Sequence, residues 1–148
     1  MRTASRSLSA LSAALLLCGA CAGSGPAKKT AAKTSTTAPR TVTIGGTTVV
    51  FRGQAAARAD LNDIQINDNY FEPNVITGTS GERGALDFRH AGAGLHNVSI
   101  PELHIDKDFQ PGTAGAVAVV FPASGDLVFF CKYHRTESGM VGVLRVSS

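Results

Sequence analysis

Within ten residues near the end of the chain, Cys131, His134 and Met140 supply a thiol, an imidazole and a thioether. Cys131 follows the apolar run 126–130, Met140 opens the apolar run 140–146, and His134 lies on the connection between them. A loop between two strands can turn three such side chains toward one point. A fourth donor must come from elsewhere, and His96, at the head of His96-Asn97-Val98-Ser99-Ile100, is the natural candidate. Soft sulfur and imidazole donors hold copper in both of its oxidation states. Two His and one Cys in a plane with a distant axial Met is an arrangement used for electron transfer. The predicted site is therefore one copper ion on His96, Cys131, His134 and Met140, with the thiolate as the strong donor and the thioether as a weak one that tunes the potential.

Other readings compete at each position. A Met is usually a core residue, a lone Cys can be an inert buried one, and His96 can be a loop histidine satisfied by backbone. His90 and His104 are rivals for the distant imidazole: His90 precedes the small-residue stretch 91–94, and His104 follows Pro101-Glu102 and reads as solvated. The alternating pattern after His96 favours it over both. Glu102, Asp106 and Asp108 are most simply a solvated face, without calcium-loop spacing. A thiol enzyme built on Cys131 and His134 lacks an evident orienting Asp or Asn and an oxyanion motif. Zinc normally takes paired cysteines in structural sites. A multicopper oxidase would need further His-rich motifs. No enzyme activity and no small-molecule substrate are expected. A copper storage or delivery module stays open beside the electron carrier.

The elements that must position these residues read as strands. Residues 41–44 and 47–51 are β-branched runs around Gly45-Gly46, a hairpin signal. Residues 54–59 are Ala-rich and suit a short helical turn or a loop. From residue 61 onward short apolar or alternating runs at 64–66, 73–76, 85–89, 96–100, 116–121, 126–130 and 140–146 are separated by Gly and Pro punctuation. No stretch keeps a 3.6-residue period over three turns. The expected fold class is all-β, a β-sandwich or barrel.

The N-terminal part has a different texture. Arg2 and Arg6 precede an apolar run over 8–17, too short to span a membrane as a stable helix, and then Cys18-Gly19-Ala20-Cys21. Residues 1–21 read as an export signal resembling a lipobox, with Cys21 the acceptor of the lipid. Residues 22–40, rich in Ala, Gly, Ser, Thr, Lys and Pro, read as a flexible tether to a domain over 41–148. The expected location is the cell membrane, lipid-anchored and facing the periplasm or the extracellular side. With Cys21 lipidated, Cys131 is the sole thiol of the mature chain and no internal disulfide is expected. Of the 148 residues, all 11 acids lie at or beyond Asp60, and 41–148 carries eight Lys/Arg against them, a net charge of about −3. The positive charge of the whole chain belongs to its N-terminal part, and no basic stripe with interleaved aromatics marks a nucleic-acid surface.

The segment Cys131-Lys132-Tyr133-His134, five residues, Met140-Val141-Gly142 resembles the copper loop of the cupredoxins, blue copper proteins of the plastocyanin and pseudoazurin kind. Asn69-Tyr70-Phe71-Glu72-Pro73 is similar to an early strand of that family, and His96-Asn97-Val98 to the motif carrying its first His ligand. The resemblance is best over 61–148. It implies a Greek-key β-sandwich and a type 1 copper site. It also implies a supporting role for Asn97, whose backbone N–H would hold the Cys sulfur while its side chain ties two loops. It further implies a redox partner docking near His134 as the electron portal. The spacing from His134 to Met140 is longer than in plastocyanin, and the hairpin at 41–51 has no counterpart in the smallest members.

Overall fold

A computed structural model describes residues 38–57 and 62–147. The signal, Cys21 and the tether up to residue 37 lie outside the described residues. The strands are β1 (Thr41–Ile44), β2 (Thr47–Val50), β3 (Gln54–Ala56), β4 (Asn62–Asn67), β5 (Tyr70–Glu72), β6 (Val75–Gly78), β7 (Arg83–His90), β8 (His96–Ile100), β9 (Ile105–Phe109), β10 (Ala114–Val120), β11 (Asp126–Phe130) and β12 (Val141–Val146). A single-turn helix, α1 (Arg135–Ser138), lies between the last two. Four strands pair in the order β10-β7-β4-β5 and six in the order β3-β6-β12-β11-β8-β9, with β1 and β2 as a separate ribbon. The architecture is a β-sandwich.

The main core draws on both sheets: Ile64, Ile66, Phe71, Leu86, Phe88, Val117 and Val119 from the smaller, and Ile76, Val98, Ile100, Phe109, Leu127, Phe129 and Leu144 from the larger. Five phenylalanines, Phe71, Phe88, Phe109, Phe121 and Phe129, take the place of the missing Trp. Phe129 meets Phe71 and Phe88 edge to face, at centroid separations of 5.1 and 5.8 Å, a geometry worth about 0.5–1.5 kcal/mol per pair beyond burial. Gly142 pairs directly with Phe129 across β11 and β12, and the Phe129 ring occupies the space where a Cβ of residue 142 would stand.

The hairpin forms as its sequence predicts. Gly45 and Gly46 take φ of 53° and 79°, the left-handed backbone a two-residue hairpin turn requires. Its apolar residues pack on the outer face of the larger sheet, where Ile44 joins Val75, Val141 and Val143 in a second buried cluster. That sheet is thus covered on both faces around β12, which explains why Val141 to Leu144 reads as a continuous apolar run rather than an alternating one. Buried Asn74 pins the hairpin's exit: its Oδ1 accepts from Arg52 N–H and its Nδ2 donates to Val50 O, both at 2.9 Å.

Residues 54–56 correct the expected helical turn or loop. They form an edge strand parallel to β6, in register Ala55 with Ile76. Helix propensity in Ala-rich sequence is weak beside a ready strand edge and a core contact for Ala55.

Candidate metal centre

β8 and β11 bring the distant histidine to the Cys loop. Phe130 pairs with Ser99, so the end of β11 and the start of β8 lie at the same end of the sandwich. There Cys131 Sγ is 3.8 Å from His96 Nδ1 and 3.4 Å from His134 Nδ1. The donor atoms of His96, Cys131 and His134 all lie within 4.8 Å of one another. Thiolate and imidazole bonds to a first-row metal run about 2.3 and 2.0 Å, so donors about 120° apart should stand about 3.7 Å from each other. The observed separations straddle that value, and one thiol with two imidazoles is the donor chemistry of a soft or borderline ion. The residues fit a metal. Cys131 is fully buried, His96 nearly so, and His134 half-buried.

The loop from Cys131 to Met140 is closed by its own backbone. His134 N–H donates to Cys131 O, Met140 N–H to His134 O, and Cys131 N–H to Met140 O, at 3.1, 3.2 and 3.1 Å. The long spacing from His134 to Met140 is taken up by α1, which ends at Gly139 in the left-handed region (φ 63°), with its N–H on Arg135 O. The insertion therefore becomes a helical turn on the surface, and Met140 stays fully buried in the core beside Cys131.

His90 and His104 stand apart from the donor cluster. His104 is exposed, with φ of 54°, after the 3₁₀ turn Pro101–Leu103. His90 is buried, and its ring lies 5.0 Å from that of His96. Its Nε2 is 2.7 Å from Gly94 O, so it braces the 91–94 loop.

Asn97 is fully buried and serves both neighbours of β8. Its Nδ2 donates to Asp106 and Asp108 on β9 at 2.6 and 2.9 Å. Its Oδ1 accepts from Ser99 Oγ and, at 3.4 Å, from Lys132 N–H in the Cys loop. Asp106 and Asp108, read from sequence as a solvated face, are exposed but engaged. Lys132 Nζ reaches both, at 2.8 and 3.2 Å, and Tyr133 Oη donates to Asp108 at 3.0 Å. The Lys132 bond first and the Asn97 amide second hold the Asp106 carboxyl below its usual range; for Asp108 the order is reversed. The same pair of carboxylates raises Lys132. Both residues between Cys131 and His134 are thus anchored on β9. Replacing Asn97 with Ala strands the Ser99 hydroxyl and the Lys132 N–H, and is expected to lower the unfolding free energy of the metal-free protein by about 2 kcal/mol in a urea titration. An unchanged midpoint would deny Asn97 this bracing role.

Asp68, in the turn between β4 and β5, is a site neighbour the sequence reading missed. Its Oδ1 lies 3.4 Å from His96 Nε2 and accepts from Ala93 N–H at 2.8 Å and Gly94 N–H at 3.3 Å. Those amides, Ala93 foremost, lower the Asp68 pKa. His96 is lowered chiefly by burial, with Asp68 opposing and the His134 and His90 rings adding to the fall. A lowered His96 is neutral at neutral pH, the state a metal ligand needs.

Comparison with known proteins agrees with this fold. The family described as the cupredoxin-like domain matches residues 40–144. The reduced auracyanin of the photosynthetic bacterium Roseiflexus castenholzii superposes with a TM-score of 0.50 at 18% identity, over 62% of this chain and 99% of that one. The metal binding domain of the Streptococcus pneumoniae D39 Cu(I) exporting P-type ATPase CopA, with Cu(I), superposes at 0.55 and 14% identity, over 66% and 98%. Similarity at these identities speaks for the fold. No curated protein matches the chain at a significant level.

Proposed function

The chain belongs to the cupredoxin-like domain family, and from that premise we propose that it is a copper-binding electron carrier with no enzymatic activity of its own. His96, Cys131 and His134 would hold the ion, with Met140, buried beside Cys131 in the core, as the further sulfur donor. The observation that carries the reading is the convergence of Cys131 Sγ and two Nδ1 atoms in a buried pocket. Bound copper supplies a one-electron couple between Cu(I) and Cu(II). The chain's part is to hold the donors still, exclude water and present a route to the surface. The first two follow from the closed Cys131–Met140 loop and its bracing on β9. The third falls to half-buried His134; its chain neighbour Tyr133, and Leu95, the chain neighbour of His96, are the large hydrophobic side chains most open to solvent among the described residues. A redox partner docks on that patch. A thiol-enzyme reading is disfavoured by the complete burial of Cys131.

The same proposal places the domain outside the cell membrane, exported by the signal at 1–21, anchored through a lipid on Cys21 and held on the tether 22–40. Among the described residues no helix is long and apolar enough to cross a membrane.

The deciding experiment is an anaerobic copper titration followed by visible and EPR spectroscopy, then voltammetry. Uptake of one equivalent of Cu(II) with intense blue colour, a reversible one-electron couple and rapid self-exchange is the expected result. A colourless protein would overturn the site. A blue protein that hands Cu(I) to an apoprotein but exchanges electrons slowly would favour copper storage or delivery.

A further inference from the structure

The ring of His96 presents two nitrogens to two different settings. Nδ1 faces the sulfur of Cys131, and Nε2 faces the carboxylate of Asp68. A neutral imidazole carries one proton. The nitrogen beside an acceptor-only carboxylate keeps it, which leaves the Nδ1 lone pair aimed at the metal pocket. The carboxylate is itself placed. Three donors converge on Asp68 Oδ1: the amides of Ala93 and Gly94 and the His96 ring. The loop can close on it because residue 92 is Gly, where a Cβ would collide with the Asp68 carboxylate and come within 2.9 Å of its backbone nitrogen.

Resting on the copper reading above, we infer that Asp68 is a positioning residue for the metal centre: it fixes the tautomer and orientation of His96 and places a negative charge behind that ligand. Its side chain is 56% exposed, so its role does not come from filling the core. A carboxylate behind a ligating histidine raises the basicity of the ring and favours the more positive oxidation state of the ion. Removing its charge should therefore weaken Cu(II) binding more than Cu(I) binding.

Two readouts test this, and the first needs no metal. In the metal-free protein, nitrogen-15 NMR of the His96 ring should show the Nε2–H tautomer, and Asp68→Ala should give a mixture of tautomers. A wild-type ring protonated at Nδ1, or a ring indifferent to Asp68→Ala, overturns the inference. The second readout uses Asp68→Asn, which keeps an acceptor oxygen for Ala93 and Gly94 and removes only the charge. The blue colour should persist. Cu(II) affinity should fall about tenfold with Cu(I) affinity little changed, which at 59 mV per tenfold for one electron raises the reduction potential by about 59 mV. An unchanged or lowered potential overturns the inference. If the wild-type protein takes up no copper, the proposed function falls, while the tautomer measurement still decides what Asp68 does to His96.

Discussion

Cys131→Ser should abolish the intense visible absorption of the copper-loaded protein and leave the sandwich folded. The colour of such a site arises from charge transfer between thiolate sulfur and Cu(II), and a serine oxygen is a harder donor without that transition. The substitution is close to isosteric, and the backbone bond from residue 131 to Met140 O remains. The His134 ring nitrogen, 3.4 Å from the sulfur that is replaced, can turn to satisfy a hydroxyl. The cost to folding should therefore lie at the low end of the roughly 1–3 kcal/mol for a buried polar group. Visible and EPR spectra on matched samples give the result, with the melting of the metal-free variant as the control for fold. Colour surviving this change would remove Cys131 from the ligand set.

Gly142→Ala should be the most damaging single-methyl change in the domain. The new Cβ would fall within the ring of Phe129, which is fully buried and touches Phe71 and Phe88. A flexible tip could swing aside. A core phenylalanine cannot move without displacing two other rings or the β11–β12 ladder. Overpacking costs about 1–3 kcal/mol, sometimes more, and this site belongs at the upper end. For a domain of this size that is a fall in melting temperature on the order of 15 °C, measurable by circular dichroism on metal-free protein. Gly142 has no left-handed φ, so its cost comes from the clash, whereas Gly81→Ala, where a Cβ meets nothing within 4 Å but φ is +70°, carries backbone strain alone and should lose less. A loss at Gly142 no larger than at Gly81 would mean that the ring yields.

Much of the sandwich was legible in the chain because strands advertise themselves through apolar alternation and Gly or Pro breaks. The hairpin was readable to its turn because only two adjacent left-handed residues close it. Residues 54–56 were not, since an edge strand made of Ala carries no pattern of its own and exists only because β6 offers it an edge. Around the site, Cys131, His134 and Met140 are near in sequence, so the chain itself brings them close. His96 could be singled out by its strand. Asp68 could not, because its meeting with His96 depends on how the β4–β5 turn and the 91–94 loop fold against each other. The acids on β9 looked like a wet surface in sequence. Their engagement with Lys132 and Asn97 follows from the β8–β9 register, in which Asn97 stands opposite Asp108.

The closed peptide circuit from Cys131 to Met140 and the burial of its sulfurs have a consequence for which ions can enter. Cys131 and Met140 have no solvent contact and His96 almost none, so an arriving ion must shed its hydration shell nearly completely. Magnesium gives up water reluctantly and favours an octahedron of oxygens; it finds neither there. Discrimination against the abundant hard cations of the environment thus follows because sulfur and imidazole bonds offset the loss of water for copper and do not for magnesium.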